Sequence, residues 1–382
     1  MRICLYTETA LPKLGGQELV VDSLAREFVK RGHAVSVLAP YPRHRLPLKD
    51  DTYPYHMMRH PRFYSTRWGV RWYRRFLLRH FRNEPFDILH CHGLYPSGYL
   101  AAVLKNELGV PIVLTSHGGD VREKNTRLRR PVIKARHELA VRSADQLIAI
   151  SEFTRQGYLR LGGSPERIID ISNGVDLADA SRPVTRPAEL TAPLESQKYF
   201  LFLGRLVRRK GVDLLLEAMR LLTDTSMPLV IAGDGDESDS LRRFAAEAGL
   251  NGRVHFLGRV GGEMKRWLLQ NALCTILPSR DWEAFPLVAL ESYAAGRPMI
   301  ATAIPGLVDV VRGGQTGLLV AENDPTALAS AMKQMAADRA ATEAMGQNAR
   351  RWADDFSWSA IAHRHIEIYR QLISADFQPH SH

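Results

Sequence analysis

The stretch CTILPSRDWEAFPLVALESYAAGRPMIAT, residues 274–302, holds two short apolar runs, CTILPS and PMIAT, on either side of a helical pattern over 287–296. Short Val/Ile/Leu-rich strands spaced by helices imply a parallel sheet covered on both faces. Two glutamates, Glu283 and Glu291, bracket the apolar part of this unit. Pro286 lacks an N–H and is best tolerated in a first helical turn, so the helix is expected to start near 285–287. Glu283 then lies in the loop and Glu291 one to two turns inside the helix, roughly 12 Å away at the rise of an α-helix.

The same alternation runs outward in both directions. Upstream, strands YFLFLGR, MPLVIAG and RVHFLG alternate with helices over 211–223 and 238–249, and GLLVA follows downstream. Before them, RICLYTE, HAVSVLAP, FDILHCHG, PIVLTSH, QLIAIS and RIIDISN form a first series with its own helices. Between the series, RPVTRPAELTAPLESQ (182–197) has three prolines and no periodicity, and reads as a linker. Two doubly wound domains are expected, over 1–181 and 197–357, with a last helix in 358–382 packing back on the first. Ligands of such sheets bind beyond the strand carboxyl ends.

Composition narrows the class. The 382 residues are 45% hydrophobic and 24% charged, as in a globular protein of two or three domains. No apolar run reaches the length of about 18 residues that a membrane span requires. The chain opens on an apolar strand with no leader-like pattern, and its three cysteines (Cys4, Cys91, Cys274) sit in strand-like runs at spacings that fit neither zinc nor a disulfide framework. These features place it in the cytoplasm. The net charge of +10 is uneven: residues 1–190 hold 30 basic and 19 acidic side chains, and the remainder is close to neutral. One half is therefore suited to an anionic partner, although no nucleic-acid motif occurs.

Several motifs fall after strands. LPKLGGQE puts Gly15 and Gly16 before a helix, either as room for a ligand phosphate or as a helix-entry turn. TSHGGD puts His117 and Asp120 at a strand end, as cleft residues or as a locally bonded turn. HCHG places His90 and His92 on one strand face, but no second His/Cys cluster completes a zinc site, so no metal is expected. Asp234 and Asp236 of GDGDE fit turn and cap positions better than a metal-binding pair. GRLVRRKG offers Arg205 and Lys210 beside glycines and a helix start, which makes a diphosphate cradle. The span from Glu283 to Glu291 suits a nucleotide sugar lying along the helix start.

These motifs, in this order, resemble the retaining glycosyltransferases of family 4, which have the two-Rossmann GT-B fold with domains facing a central cleft. GGQE, HCHG, TSHGGD, AISEFT, SNGVD, GRLVRRKG, IAGDGD, FLGRV, EAFPLVALESYAAGRPMIAT and GLLVAEND extend the resemblance over nearly the whole chain. It implies that Glu291 binds ribose hydroxyls and Glu283 hydroxyls of the donor sugar. Arg205 and Lys210 would neutralise the diphosphate, His117 would contact the donor sugar, and Gly16 would lie by the phosphates. The donor-binding set then comprises Gly15, Gly16, Phe285, Pro286, Leu287, Val288 and Glu291, with Asp120 and His92 serving the acceptor or cleft. Pro286 stands where Gly is frequent, Asp309 replaces a longer acid, and Asp236 replaces a proline. The implied reaction is retaining, metal-independent transfer from a nucleoside-diphosphate sugar, a UDP-sugar ahead of GDP-mannose. The acceptor hydroxyl would belong to a lipid-linked or surface-polysaccharide precursor. An epimerase or a phosphorylase shares the architecture, and a non-catalytic nucleotide-sugar-binding membrane module is the rival from another class.

One helix has two characters. No acidic residue occurs between Thr52 and Asn83, and RWGVRWYRRFLLRHFR (67–82) follows a helical period. Val70, Tyr73, Leu77 and Phe81 form one stripe, expected to face the core. Trp68, Arg71, Trp72, Arg75, Arg79 and Arg82 form the other, read as contact with an anionic membrane surface at the cytoplasmic face.

Overall fold

In the computed structural model, residues 1–42, 48, 50–62, 67–223 and 226–376 are described. The chain forms two compact units: Met1–Asn173 with the chain from Trp358 onward, and Gly174–Ser357. The first holds a seven-stranded sheet of β1 (Arg2–Thr7), β2 (Ala34–Pro40), β3 (His56–His60), β4 (Ile88–His92), β5 (Ile112–Thr115), β6 (Gln146–Ala149) and β7 (Ile168–Asp170). Its order is β3-β2-β1-β4-β5-β6-β7, parallel throughout. The second holds β8 (Phe200–Leu203), β9 (Leu229–Ala232), β10 (Val254–Gly258), β11 (Cys274–Leu277), β12 (Met299–Thr302) and β13 (Gly317–Val320). Its order is β10-β9-β8-β11-β12-β13, again parallel.

Each sheet reverses its winding once, between β1 and β4 and between β8 and β11. Crossover helices that leave in opposite directions at such a point open a crevice beyond the strand carboxyl ends. The central strands are covered on both faces, so every residue of β4, β5, β6, β9, β11 and β12 is buried. Cys4, Cys91 and Cys274 are buried free thiols in this core.

Helix Gly16–Lys30 buries Val20, Val21, Leu24, Ala25 and Phe28, an i, i+3/i+4 stripe. Helix Trp358–Asp376 packs beside it, with Phe28 edge-on to His365 and Tyr369 at 6.4 and 5.7 Å. The segment 182–197 belongs to the second unit rather than forming a linker. Leu190, Ala192 and Leu194 are buried against Tyr199, Leu201 and Trp267, because alternating apolar residues among the prolines give the segment something to bury. The chain instead passes between units at 173/174 and 357/358. Helix Arg67–Asn83 turns Tyr73 and Leu77 into the core, with Val70 and Phe81 partly buried against it.

Tyr158 fixes the loop after β5. Fully buried, its hydroxyl accepts from the Ser116 N–H and lies 3.1 and 3.3 Å from the Ile148 and Leu114 carbonyls. Tyr158→Phe removes the acceptor of the buried Ser116 N–H, so it is expected to destabilise the first unit by about 1–3 kcal/mol, read from urea unfolding.

Candidate functional site

The first unit gathers its candidates at the ends of β1, β4 and β5. Parallel register aligns Thr7 with His92 and His92 with Thr115. Gln17, in the first turn of helix Gly16–Lys30, donates to the His92 carbonyl at 2.9 Å and to Thr7 Oγ1 at 3.0 Å. The helix start is thereby pinned beside the switch point. The two glycines differ: a Cβ on Gly15 would lie 2.5 Å from Glu18 Oε2, whereas one on Gly16 would meet nothing within 4 Å. Gly15 makes room for the Glu18 carboxylate, which also takes Thr9 Oγ1 at 2.7 Å and Lys13 at 3.1 Å. Over Gly16 the space is open.

His117 Nε2 lies 3.1 Å from His92 Nδ1, with the rings stacked 5.3 Å apart. Burial lowers the His117 pKa to about 4, against the opposing pull of Asp120 and Glu18. Burial also holds His92 well below its ordinary value. Two neutral imidazoles thus share one hydrogen bond, one donating and the other accepting. Asp120 accepts from the Leu94 N–H at 2.7 Å and from Ser116 Oγ, closing the loop onto the turn after β4. Both ring nitrogens of the buried His90 are occupied, by Tyr369 Oη at 2.6 Å and Thr115 Oγ1 at 2.7 Å. Among the described residues, no group of three or more His, Cys, Asp or Glu could hold a metal ion.

Glu8, which the sequence reading passed over, follows β1 directly. A Cβ on Gly93 would sit 2.7 Å from its Oε1. Burial and the nearby Asp120 push its pKa well up, against Arg127, Arg62 and the Tyr95 N–H. Its position at the carboxyl end of the switch-point strand was the available signal.

The second unit centres on Glu283. Its Oε1 receives Lys210 Nζ at 2.6 Å, Ser279 Oγ at 2.6 Å and Arg209 Nη1 at 2.9 Å. Its Oε2 accepts no hydrogen bond among the described residues. Burial would raise the carboxyl pKa, but Lys210 and Arg209 with the two hydrogen bonds lower it to about 2. The backbone is pinned as well, with the Glu283 N–H donating to the Pro305 carbonyl at 3.0 Å. Gly306 has φ +84°, and a Cβ there would come within 1.7 Å of the Glu283 carbonyl oxygen. Only glycine permits that approach and that backbone conformation.

Lys210 ends the short turn Arg208–Lys210, and the α-helix begins at Val212 after Gly211 rather than at Lys210 itself. Burial lowers the Lys210 pKa, with Arg209 and Arg205 adding to the shift and Glu283 opposing it. Arg205 is exposed just beyond β8. Arg209 also lies over the Trp282 ring, 4.8 Å from its centroid, and donates to the Trp282 carbonyl. The helix that follows runs Leu287–Ala294 with Pro286 as its N-cap and Phe285 buried before it. Its first N–H groups, Leu287 and Val288 among them, precede any intrahelical acceptor. Glu291, in the second turn, pairs through Oε1 with Lys265 at 2.6 Å. Asp234 accepts from the Gly235 N–H and Ser238 Oγ, both local turn contacts.

Two doubly wound parallel sheets with polar clusters at their switch points define the GT-B class. The model for glycosyl transferases group 1 matches residues 189–352, and that for glycosyltransferase family 4 matches 14–179. A D-inositol 3-phosphate glycosyltransferase of Nocardioides sp. is 32% identical over 314 residues, 75% of this chain and 67% of the relative. Anabaena HepE in complex with UDP superposes with TM-score 0.82 at 20% identity, over 97% of this chain and 100% of that one. Sucrose-phosphate synthase of Thermosynechococcus elongatus gives 0.80 at 25% identity, over 98% and 99%. The chain belongs to glycosyltransferase family 4, the retaining glycosyltransferases that take their sugar from a nucleotide sugar.

The lowered Glu283 pKa fixes the sign of a pH effect. Its ion pairs stabilise the second unit fully above the ordinary carboxylate range and are lost as pH falls toward about 2. The stability advantage of the wild-type chain over Glu283→Gln is therefore expected to shrink between about pH 5 and about pH 2, as read from urea midpoints. A constant difference would contradict the pairing.

Proposed function

We propose that this glycosyltransferase uses a UDP-sugar, with GDP-mannose second, without a bound metal, and glycosylates a lipid-linked saccharide precursor at the cytoplasmic membrane surface. The observation that carries the donor-site reading is the asymmetric Glu283 carboxylate. One oxygen is anchored by two hydrogen bonds, from Lys210 and Ser279, and by the Arg209 ion pair, and the other is left to accept sugar hydroxyls. Glu291 serves the ribose, and the helix start at Phe285, Pro286, Leu287 and Val288 serves the diphosphate. His117 serves the donor sugar, Gly16 and the adjoining Gly15 the phosphates, and Asp120 and His92 the acceptor. A UDP-glucose complex of HepE, a protein of the same fold, is in keeping with the uridine choice.

In this reading the acceptor hydroxyl attacks the anomeric carbon on the face from which the diphosphate departs, and a departing phosphate oxygen takes its proton. Configuration is kept without a carboxylate nucleophile. Charge grows on the diphosphate, so Arg205, Lys210 and the helix N-terminus act most strongly at the transition state. An ammonium has three hydrogens, so Lys210 can keep Glu283 and still donate to a phosphate. The diphosphate then supplies negative charge to a lysine that burial disfavours as a cation. These fixed cations take the place a divalent ion would hold. Turnover of the best UDP-sugar, chosen by thermal-shift screening, is expected to survive EDTA, with the α configuration of the donor kept by product NMR. Loss on chelation with rescue by manganese would overturn the cation assignment.

The membrane reading rests on helix Arg67–Asn83. Arg71, Arg75, Arg79 and Arg82 are exposed, and Trp72 is 58% exposed, while the opposite stripe is packed inward. The Trp68 side chain lies outside the described residues. Among those residues, no helix is long and apolar enough to cross a membrane. An arginine face with an outward indole suits the interface of anionic lipid, at roughly 1 kcal/mol per basic residue near the surface. Co-sedimentation with phosphatidylglycerol vesicles is expected to weaken with salt and to drop sharply when Trp72, Arg75 and Arg79 are replaced by serine. Equal partition onto phosphatidylcholine vesicles would make the face an ordinary solvated one.

A further inference from the structure

Lys265 falls in no motif, yet it is the ion-pair partner of Glu291. It lies on helix Gly262–Asn271, and its Nζ is 2.6 Å from Glu291 Oε1, with the two side chains 29% and 23% exposed. Glu291 Oε2 accepts no hydrogen bond among the described residues. The arrangement parallels Glu283, where cations and a hydroxyl gather on one oxygen and leave the other. A glutamate side chain with no anchor samples several rotamers, and holding it in one removes that cost from binding. Each carboxylate oxygen has two lone pairs, so Oε1 can keep its ion pair and still accept a hydroxyl.

We infer that Lys265 is a positioning residue for nucleotide binding, holding Glu291 in the orientation that reads the ribose hydroxyls. This inference rests on the ribose role proposed above for Glu291. Lys265 acts through the carboxylate, so its effect should exist only when the ligand carries those hydroxyls.

The test is a cycle between side chain and ligand, read as Kd by calorimetry. The ligands are UDP or GDP, whichever binds the wild-type chain more tightly, and its 2′,3′-dideoxy counterpart. Lys265→Met keeps the aliphatic stem and removes the charge. It is expected to weaken the ribonucleotide about tenfold, the scale of a lost charge-assisted hydrogen bond, and to leave the dideoxynucleotide within about twofold. Lys265→Arg should recover most of the loss. In steady-state kinetics the Lys265→Met effect should fall on the donor KM, with kcat little changed. A loss equal for both ligands, or no loss for either, would overturn the inference. Glu291→Gln separates its failure from that of the ribose reading. If Glu291→Gln discriminates the two ligands and Lys265→Met does not, the ribose role stands and Lys265 has no part in it. If Glu291→Gln treats both ligands alike, the ribose role itself falls.

Discussion

A single carboxylate oxygen organises the second unit's site. Glu283 Oε1 draws Lys210, Arg209 and Ser279 to one point, and these residues come from the loops after β8 and β11. Burying a carboxylate is costly, and leaving it unpaired there would be more so. The cluster therefore specifies the conformation of both loops at once. Ser279 is held in turn, its carbonyl accepting from Thr302 Oγ1 at 2.6 Å at the end of β12. Arg280 forms a bidentate pair with Asp213, at 2.7 and 2.8 Å, and ties the same loop to helix Val212–Leu221. Rigidity of this kind lets a site present donors without reorganising.

The first unit reaches a similar end by different chemistry. Its switch point is held without an ion pair at the centre: a Gln17 amide bridging two strand ends, a hydrogen-bonded imidazole pair, and the Leu94 N–H and Ser116 hydroxyl on Asp120. Positive charge is concentrated elsewhere on that unit, on the exposed face of helix Arg67–Asn83. The excess charge of residues 1–190 is thus largely a surface property, while Lys210 and Arg209 of the second unit are committed to its site.

The alternation of strands, their parallel pairing and the two-unit plan were legible because buried parallel strands leave near-continuous aliphatic runs. The helix over 67–82 and its inward stripe were legible too, since Tyr73 and Leu77 recur at helical spacing. What a linear pattern could not carry were partners distant along the chain. Arg209 looked like one basic residue among several in RRK, and only folding brings it to Glu283 across 74 positions of sequence. Lys265 and Glu291 are likewise brought together by two helices with no shared motif. The boundary was misjudged because prolines in 182–197 outweighed the apolar residues between them, and burial of Leu190, Ala192 and Leu194 was the stronger term. Glu8 was missed for lack of any local oddity: its neighbour Gly93 lies far along the chain.

The return of the chain from Trp358 onward to the first unit has a consequence for synthesis. A ribosome makes residues 1–173, then the whole of 174–357, and only afterwards the helix that covers Phe28 and hydrogen-bonds His90 through Tyr369. At a translation rate of about 5–20 residues per second, the nascent first unit waits roughly ten seconds or more with that face uncovered. The second unit, contiguous in sequence, has no such wait. The two sheets share one architecture, but the unit that starts first is the one that finishes last.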